Sequence, residues 1–146
     1  MQSVPKYVGV KVGPGGKMPF RKYGGDAGYD LYVSEDITIP PNQTADVHTN
    51  IYIQMPPFIF ARITGRSSTL RNHGLIVNEG IIDNGYTGEL FIAVHNMTDQ
   101  PFQVVTGMRL AQVIFQRIED IRMSQVDEIE TRVLDRAERG FGSTGV

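Results

Sequence analysis

An all-β domain with one short helix is predicted, and three observations predict it. The chain has 146 residues, the size of one ordinary domain. It carries 16 glycines and 8 prolines with 40% hydrophobic residues and no low-complexity tract. Helix interiors disfavour such glycine content, because each glycine costs about 1 kcal/mol relative to alanine there. Turn residues recur roughly every ten positions between short alternating runs, the pattern of a sandwich, jelly roll or barrel.

Residues 2–12 alternate loosely as a strand and stop at Gly13-Pro14-Gly15-Gly16. Arg21 to Gly28 is a glycine-bearing loop, followed by alternation over Tyr29-Asp30-Leu31-Tyr32-Val33. Ile37-Thr38-Ile39 is a short strand closed by Pro40-Pro41, and further strands are expected at Thr44 to Met55, Phe58 to Ile63 and Leu75 to Val77. A short helix opens at Ser67 or Ser68 and covers Thr69-Leu70-Arg71-Asn72 before Gly74 stops it. Glu89 to Asn96, Phe102 to Val104 and Arg109 to Arg117 complete the strands, with Phe58, Phe60, Phe91, Phe102 and Phe115 at positions that suit a core. The stretch Met123 to Arg139 is charged, and only Val126 to Leu134 has the apolar content for a strand or a helical turn. Residues 1–135 thus form the expected β domain and 136–146 a flexible C-terminal arm.

The absence of cysteine excludes a disulfide framework, a thiolate zinc site and a cysteine nucleophile. A net charge of -2, with no block of like charges, argues against stable nucleic-acid binding. The start MQSVPKYVGVKVG lacks a signal-peptide core and no run approaches the ~20 apolar residues of a membrane helix, so a cytoplasmic protein, or one in a host cell's interior, is expected. His48, His73 and His95 show no metal-ligand spacing and are assigned to ordinary structural or surface roles.

Three constellations suit chemistry. Gly65-Arg66-Ser67-Ser68-Thr69-Leu70 offers a guanidinium, hydroxyls and free backbone N–H groups to an anion, although a serine N-cap beside a surface arginine has the same residues. In Asn78 to Leu90, Asn84-Gly85 signals a type I′ hairpin that sets Asp83 at a rim with Tyr86 facing the same cleft. Asp83 there is either a general base for a water or a turn residue. Arg136 to Gly145 combines glycines, two arginines, Ser143, Thr144 and the flat ring of Phe141, which suits closure on a nucleotide; a disordered chain end has a similar composition.

In this order the constellations resemble the five motifs of the trimeric dUTPase family. Ala27-Gly28-Tyr29-Asp30-Leu31 is similar to the first, Gly65 to Ser68 to the second and Gly80 to Glu89 to the third. Gly107-Met108-Arg109-Leu110-Ala111-Gln112 is similar to the fourth and Arg136 to Gly145 to the fifth. The resemblance implies a jelly-roll-like homotrimer that hydrolyses dUTP to dUMP and pyrophosphate with Mg²⁺, limiting uracil in DNA and supplying dUMP for dTMP synthesis.

Carried over residue by residue, the resemblance makes Asp83 the catalytic residue, binding the deoxyribose 3′-hydroxyl and orienting the attacking water. Tyr86 lies against the sugar and excludes a 2′-hydroxyl. Backbone groups of Asn78, Gly80, Ile81 and Ile82 pair with the uracil edge. Arg66, Ser67, Ser68 and Gln112 hold the phosphates, and Asp30 touches Mg²⁺ through water. The arm brings Phe141 onto uracil and Arg136, Gly142, Ser143 and Thr144 around the γ-phosphate of a neighbouring subunit's site. The sequence departs from the family pattern at Ala137 and Arg139, where glycines are usual, leaving Arg136 and Arg139 as alternative γ-phosphate partners. Met108 stands where an acid is usual, and Asn78 is one position nearer Asp83 than the family's uracil-facing asparagine often is. Two other readings share the fold. A dCTP deaminase-like enzyme needs a glutamate where Ala93 stands, and a noncatalytic regulatory member has no need of Asp83, Gln112 and Phe141 together.

Overall fold

Period-two alternation along Thr44–Gln54 builds the longest strand, with Val47, Thr49, Ile51 and Ile53 buried on one face. The computed structural model describes residues 6–131. Its elements run β1 (Gly9–Val12), β2 (Tyr29–Tyr32), β3 (Ile37–Ile39), β4 (Thr44–Gln54), β5 (Ile59–Gly65), α1 (Ser67–His73), β6 (Leu75–Val77), β7 (Gly80–Ile82), β8 (Glu89–Asn96), β9 (Phe102–Val104) and β10 (Arg109–Arg117). This is the expected all-β architecture. Among the described residues, no helix is long and apolar enough to cross a membrane.

One sheet has the order β1-β4-β8-β6, a second β2-β10-β5-β7, and β3 pairs with β9 in a two-stranded ribbon. The two larger sheets bury their inner faces against each other. Val47, Ile51, Leu90 and Ile92 from the first share one core with Leu31, Ile63, Leu110 and Val113 from the second. The chain passes between sheets at Asn78-Glu79: β6 pairs with β8, and three residues later β7 pairs with β5. That crossing places the Asp83 turn on the second sheet.

Buried polar groups are tied to the backbone. Asn96, fully buried, donates to the carbonyls of Ile39 at 3.0 Å and Gln100 at 2.8 Å while its Oδ1 accepts from the Thr98 N–H and hydroxyl. The Thr69 hydroxyl donates to Leu110 O at 2.7 Å and pins α1 to β10. Helix α1 ends as expected, at Gly74 in the left-handed conformation with φ 66°.

Four expectations are corrected. The residue capping α1 is Arg66, which makes no side-chain cap, so neither Ser67 nor Ser68 is the N-cap. The phenylalanines are not the core. Phe58 and Phe91 are exposed, Phe60 is half-buried, and Phe102 and Phe115 pack against a centre made of Ile, Leu, Val and Ala. Phe91 falls on the outward face of β8, between buried Leu90 and Ile92, and Phe60 on β5 stands beside buried Ala61 in the same way. Between Val126 and Thr131 the chain is exposed and is neither strand nor helix; the remainder of the 126–134 expectation and the arm 136–146 lie outside the described residues. The fourth correction, at Asn84-Gly85, belongs to the site.

Asp36 links the β2–β3 and β9–β10 connections by accepting from the Thr106 N–H at 2.7 Å and the Thr106 hydroxyl at 2.9 Å. These hydrogen bonds hold its carboxyl below the usual carboxylate range. A depressed folded pKa contributes stability above the ordinary value, lost as pH falls through the lowered one. The stability difference between wild type and Asp36→Asn, from urea titrations, is therefore predicted to be full at neutral pH and to vanish in acid. A difference that is independent of pH would contradict the link.

Candidate active site

Strand register aligns the first group of site residues. Gln112 on β10 sits opposite Asp30 on β2 and Thr64 on β5, so all three side chains lie in one row across the second sheet. Gly28 makes room for this row: a Cβ there would stand 2.5 Å from Gln112 Oε1. Gln112 Nε2 donates to Gly65 O at 3.2 Å, which fixes the amide beside the start of α1.

Arg66 continues the extended line of β5 and turns its guanidinium onto this row. Its Nε lies 3.1 Å from Asp30 Oδ1, and its Nη1 donates to Arg109 O at 3.0 Å. A bulge between Arg109 and Ala111 re-aims β10, and Arg109 Nη1 reaches Asp30 Oδ2 at 3.3 Å. One carboxylate is thereby held between two guanidinium groups. The open cleft above them, about 590 Å³, is lined by Arg21, Lys22, Arg66 and Arg109 against only Asp26 and Asp30 as acids. Positive charge in excess, on oriented side chains, suits a polyanion.

Ser67 and Gln112 also line this cleft, whereas Ser68 does not. Arg21, Lys22 and Arg109 were not singled out from sequence. The Arg21-Lys22 pair inside a glycine-bearing loop was the available signal for the first two, and the position of Arg109 three residues before Gln112 for the third. No cluster of three or more His, Cys, Asp or Glu able to hold a metal occurs among the described residues. Asp30 fits a hydrated Mg²⁺ held chiefly by phosphate oxygens, because each carboxylate oxygen keeps a lone pair beyond its guanidinium contact.

The second group lies elsewhere on the same sheet. Asp83 follows β7 and is exposed, and the Tyr86 N–H donates to Asp83 O at 3.1 Å to close a four-residue turn. Only Gly85 has positive φ, 100°, while Asn84 does not. A type I′ hairpin needs it at both positions, so this is a turn of the type II kind joining β7 on one sheet to β8 on the other. Asn84 instead anchors the turn, its Nδ2 donating to Pro56 O and Ile59 O, both at 2.8 Å. Tyr86 Oη donates to Glu89 O at 2.9 Å, and a Cβ on Gly88 would stand 2.5 Å from Tyr86 Oη. Beside Gly80 the space is open, since a Cβ there would meet nothing within 4 Å. Asn78 donates its N–H to Ala93 O at 2.8 Å, and Ile81 is exposed.

Asp83 is far from the first group. Ile82 pairs with Ala61, which puts Asp83 level with Phe60, six residues before Arg66 on β5 and its extension. At about 3.3 Å per residue the separation is about 20 Å. Asp30, Arg66, Ser67 and Gln112 are brought together; Gly80, Ile81 and Ile82 run along β5 from Ile63 to Ala61, with Asn78 following Val77 beside Gly65, and carry Asp83 and Tyr86 away from that cleft. Arg136, Phe141, Gly142, Ser143 and Thr144 lie outside the described residues.

A family profile described as dUTPase matches residues 15–145. The deoxyuridine 5′-triphosphate nucleotidohydrolase of Clostridium novyi is 39% identical over 131 residues, 88% of this chain and 91% of the relative. That of monkeypox virus is 40% identical over 130 residues, 89% and 84% of the two chains. The solved dUTPase of Staphylococcus bacteriophage 80alpha with dUPNHPP superposes with a TM-score of 0.87 at 28% identity, covering 96% of this chain and 99% of that one.

Removing the carboxylate leaves a partly buried guanidinium, Arg66, and an exposed one, Arg109, without their shared partner. Asp30→Ala is predicted to lose about 1 kcal/mol of stability in denaturant titrations, since solvent screens the Arg109 contact. An unchanged midpoint would show that Arg66 and Arg109 find other partners.

Proposed function

We propose how this chain, which belongs to the dUTPase family and hydrolyses dUTP to dUMP and pyrophosphate, divides the work among its residues. The observation that carries the proposal is the split between a cationic cleft around Asp30 and the exposed carboxylate of Asp83 about 20 Å away on the same sheet. No nucleoside triphosphate bridges that gap within one chain, so a complete site takes the cleft from one subunit and the Asp83 turn from another. A homotrimer with three shared sites satisfies this, and closed rings of identical contacts are the ordinary way to repeat such an interface.

In each shared site Asp83 accepts a hydrogen bond from the nucleophilic water. It takes the water's proton as the oxygen bonds to the α-phosphorus and the α,β-bridging bond breaks. Arg66, Ser67 and Gln112 hold the phosphates in line, without the Ser68 side chain, which lies outside the cleft, and the charge developing on the leaving pyrophosphate falls on guanidinium groups already oriented by Asp30 and the Arg109 carbonyl. Asp30 would hold Mg²⁺ through the ion's waters, and the ion would supply neutralisation of part of the phosphate charge.

Tyr86, held by its hydrogen bond to Glu89 O, presents its ring to the deoxyribose and leaves no space for a 2′-hydroxyl. The backbone of Asn78, Gly80, Ile81 and Ile82 reads uracil, with the open space beside Gly80 receiving the base. Residues 136–146 act as an arm, with Phe141 stacked on uracil and Arg136, Gly142, Ser143 and Thr144 about the γ-phosphate, closing the site against bulk water. The proposed setting is the cytoplasm, or the host-cell interior if a virus or phage encodes the chain. Deamination lacks support, because Ala93 stands on β8 where that chemistry needs a glutamate.

Asp83→Asn keeps the shape and removes the base. Its kcat for pyrophosphate release from dUTP is predicted to fall about 10²–10⁴-fold while the nucleotide still binds. Turnover near the wild-type rate would remove Asp83 from the chemistry.

A further inference from the structure

Arg62 is a cation on the outer face of the second sheet for which the mechanism above has no use. Its partners across the ladders are Ile81 on β7 and Ile114 on β10, so apolar neighbours flank a guanidinium at this point. Its Nε lies 3.1 Å from Glu79 Oε1, diagonally across from it. That contact is an ion pair without an aligned hydrogen bond. Arg62 Nε is the one buried side-chain nitrogen or oxygen without a hydrogen bond among the described residues. For folding alone, an apolar side chain at 62 would avoid this desolvation.

Glu79 sits in the two-residue step where the chain leaves β6 for β7. Among the backbone hydrogen bonds of that step, Asn78 N–H to Ala93 O ties it to the first sheet. The Glu79 side chain is its tether to the second. Immediately after it comes Gly80, with open space where a Cβ would be.

We propose that Arg62 and Glu79 are a pair of positioning residues that set the conformation of Asn78–Ile82 and through it the affinity and selectivity for the uracil base. The proposal rests on the assignment of that segment to uracil. Without the tether, the two-residue step is held only at its ends, by Asn78 N–H on Ala93 O and by the pairing of Gly80 with Ile63, and the Glu79 peptide between them, which sets how Asn78 and Gly80 face the base, can tilt. The chemistry at Asp83, three residues beyond Gly80 and separately anchored by Asn84, is left in place.

The test uses the full-length enzyme with Arg62→Met, Glu79→Gln, the double variant and the charge-reversed pair Arg62→Glu with Glu79→Arg, measuring pyrophosphate release from dUTP and dCTP. Each single variant is expected to raise KM for dUTP about tenfold with kcat within about twofold, and to lower the preference for dUTP over dCTP. The double variant should be no worse than the poorer single one, and the reversed pair should recover most of the loss. KM for dUTP within about twofold of wild type in both singles overturns the proposal, as does a loss confined to kcat or a double effect equal to the product of the singles. If Arg62→Met melts early, Glu79→Gln, changed at a half-exposed side chain, reads the same effect. Gly80→Val, measured alongside, separates the two levels. Normal dUTP binding by it overturns the uracil assignment and the proposal with it, whereas lost binding beside normal pair variants overturns the positioning role alone.

Discussion

A β-strand advances about 3.3 Å per residue, and in this chain that spacing decides where the parts of the site can stand. β5 carries both ends of the problem. Arg66 extends it at one end, and the pairing of Ala61 with Ile82 hangs the Asp83 turn near the other. The strand is held on both sides, by β10 and β7, so no local adjustment brings the two ends together without breaking ladder hydrogen bonds. The small size of the chain then acquires a meaning under the proposed function, in which one copy supplies parts of a site and association supplies the whole.

Within the cleft, the arrangement of Asp30 between Arg66 and Arg109 solves a different problem. Two guanidinium groups close together repel and would swing apart in water. A shared carboxylate, with the Arg109 carbonyl as a further acceptor, holds them in one geometry before any ligand arrives. The cleft keeps more cations than acids on its walls after this internal pairing. An oriented positive field is what a leaving pyrophosphate requires, and its orientation is established in folding rather than during the reaction.

Local signals in the sequence were strong where local physics decides the outcome. Alternation along Thr44–Gln54, the left-handed Gly74 that ends α1, and the punctuation around Ile37–Ile39 all follow from dihedral preference and burial period. Asn84-Gly85 misled because the hairpin preference assumes both flanking strands share a sheet; here they do not, and Asn84 spends its amide on the Pro56 and Ile59 carbonyls. The serine cap failed for a similar reason, since Arg66 is fixed by tertiary partners and takes the capping position itself. Motif order pointed to Asp30, Arg66, Ser67 and Gln112, which the structure brings to one cleft. It did not show that Asp30 joins Arg66 to Arg109 or that Arg62 meets Glu79, because these contacts come from register across strands distant in sequence.

The claim that each site is shared between subunits is tested most directly by mixing two defective chains. Asp83→Asn and Arg66→Gln are each expected to be nearly inactive as pure proteins. Co-expressed at equal levels and purified together, mixed trimers are predicted to recover about a quarter of wild-type activity on dUTP, the share of sites that pair an intact Asp83 with an intact Arg66 under random assembly. If each site lay within one chain, the mixture would remain as inactive as its components, and the account would be contradicted.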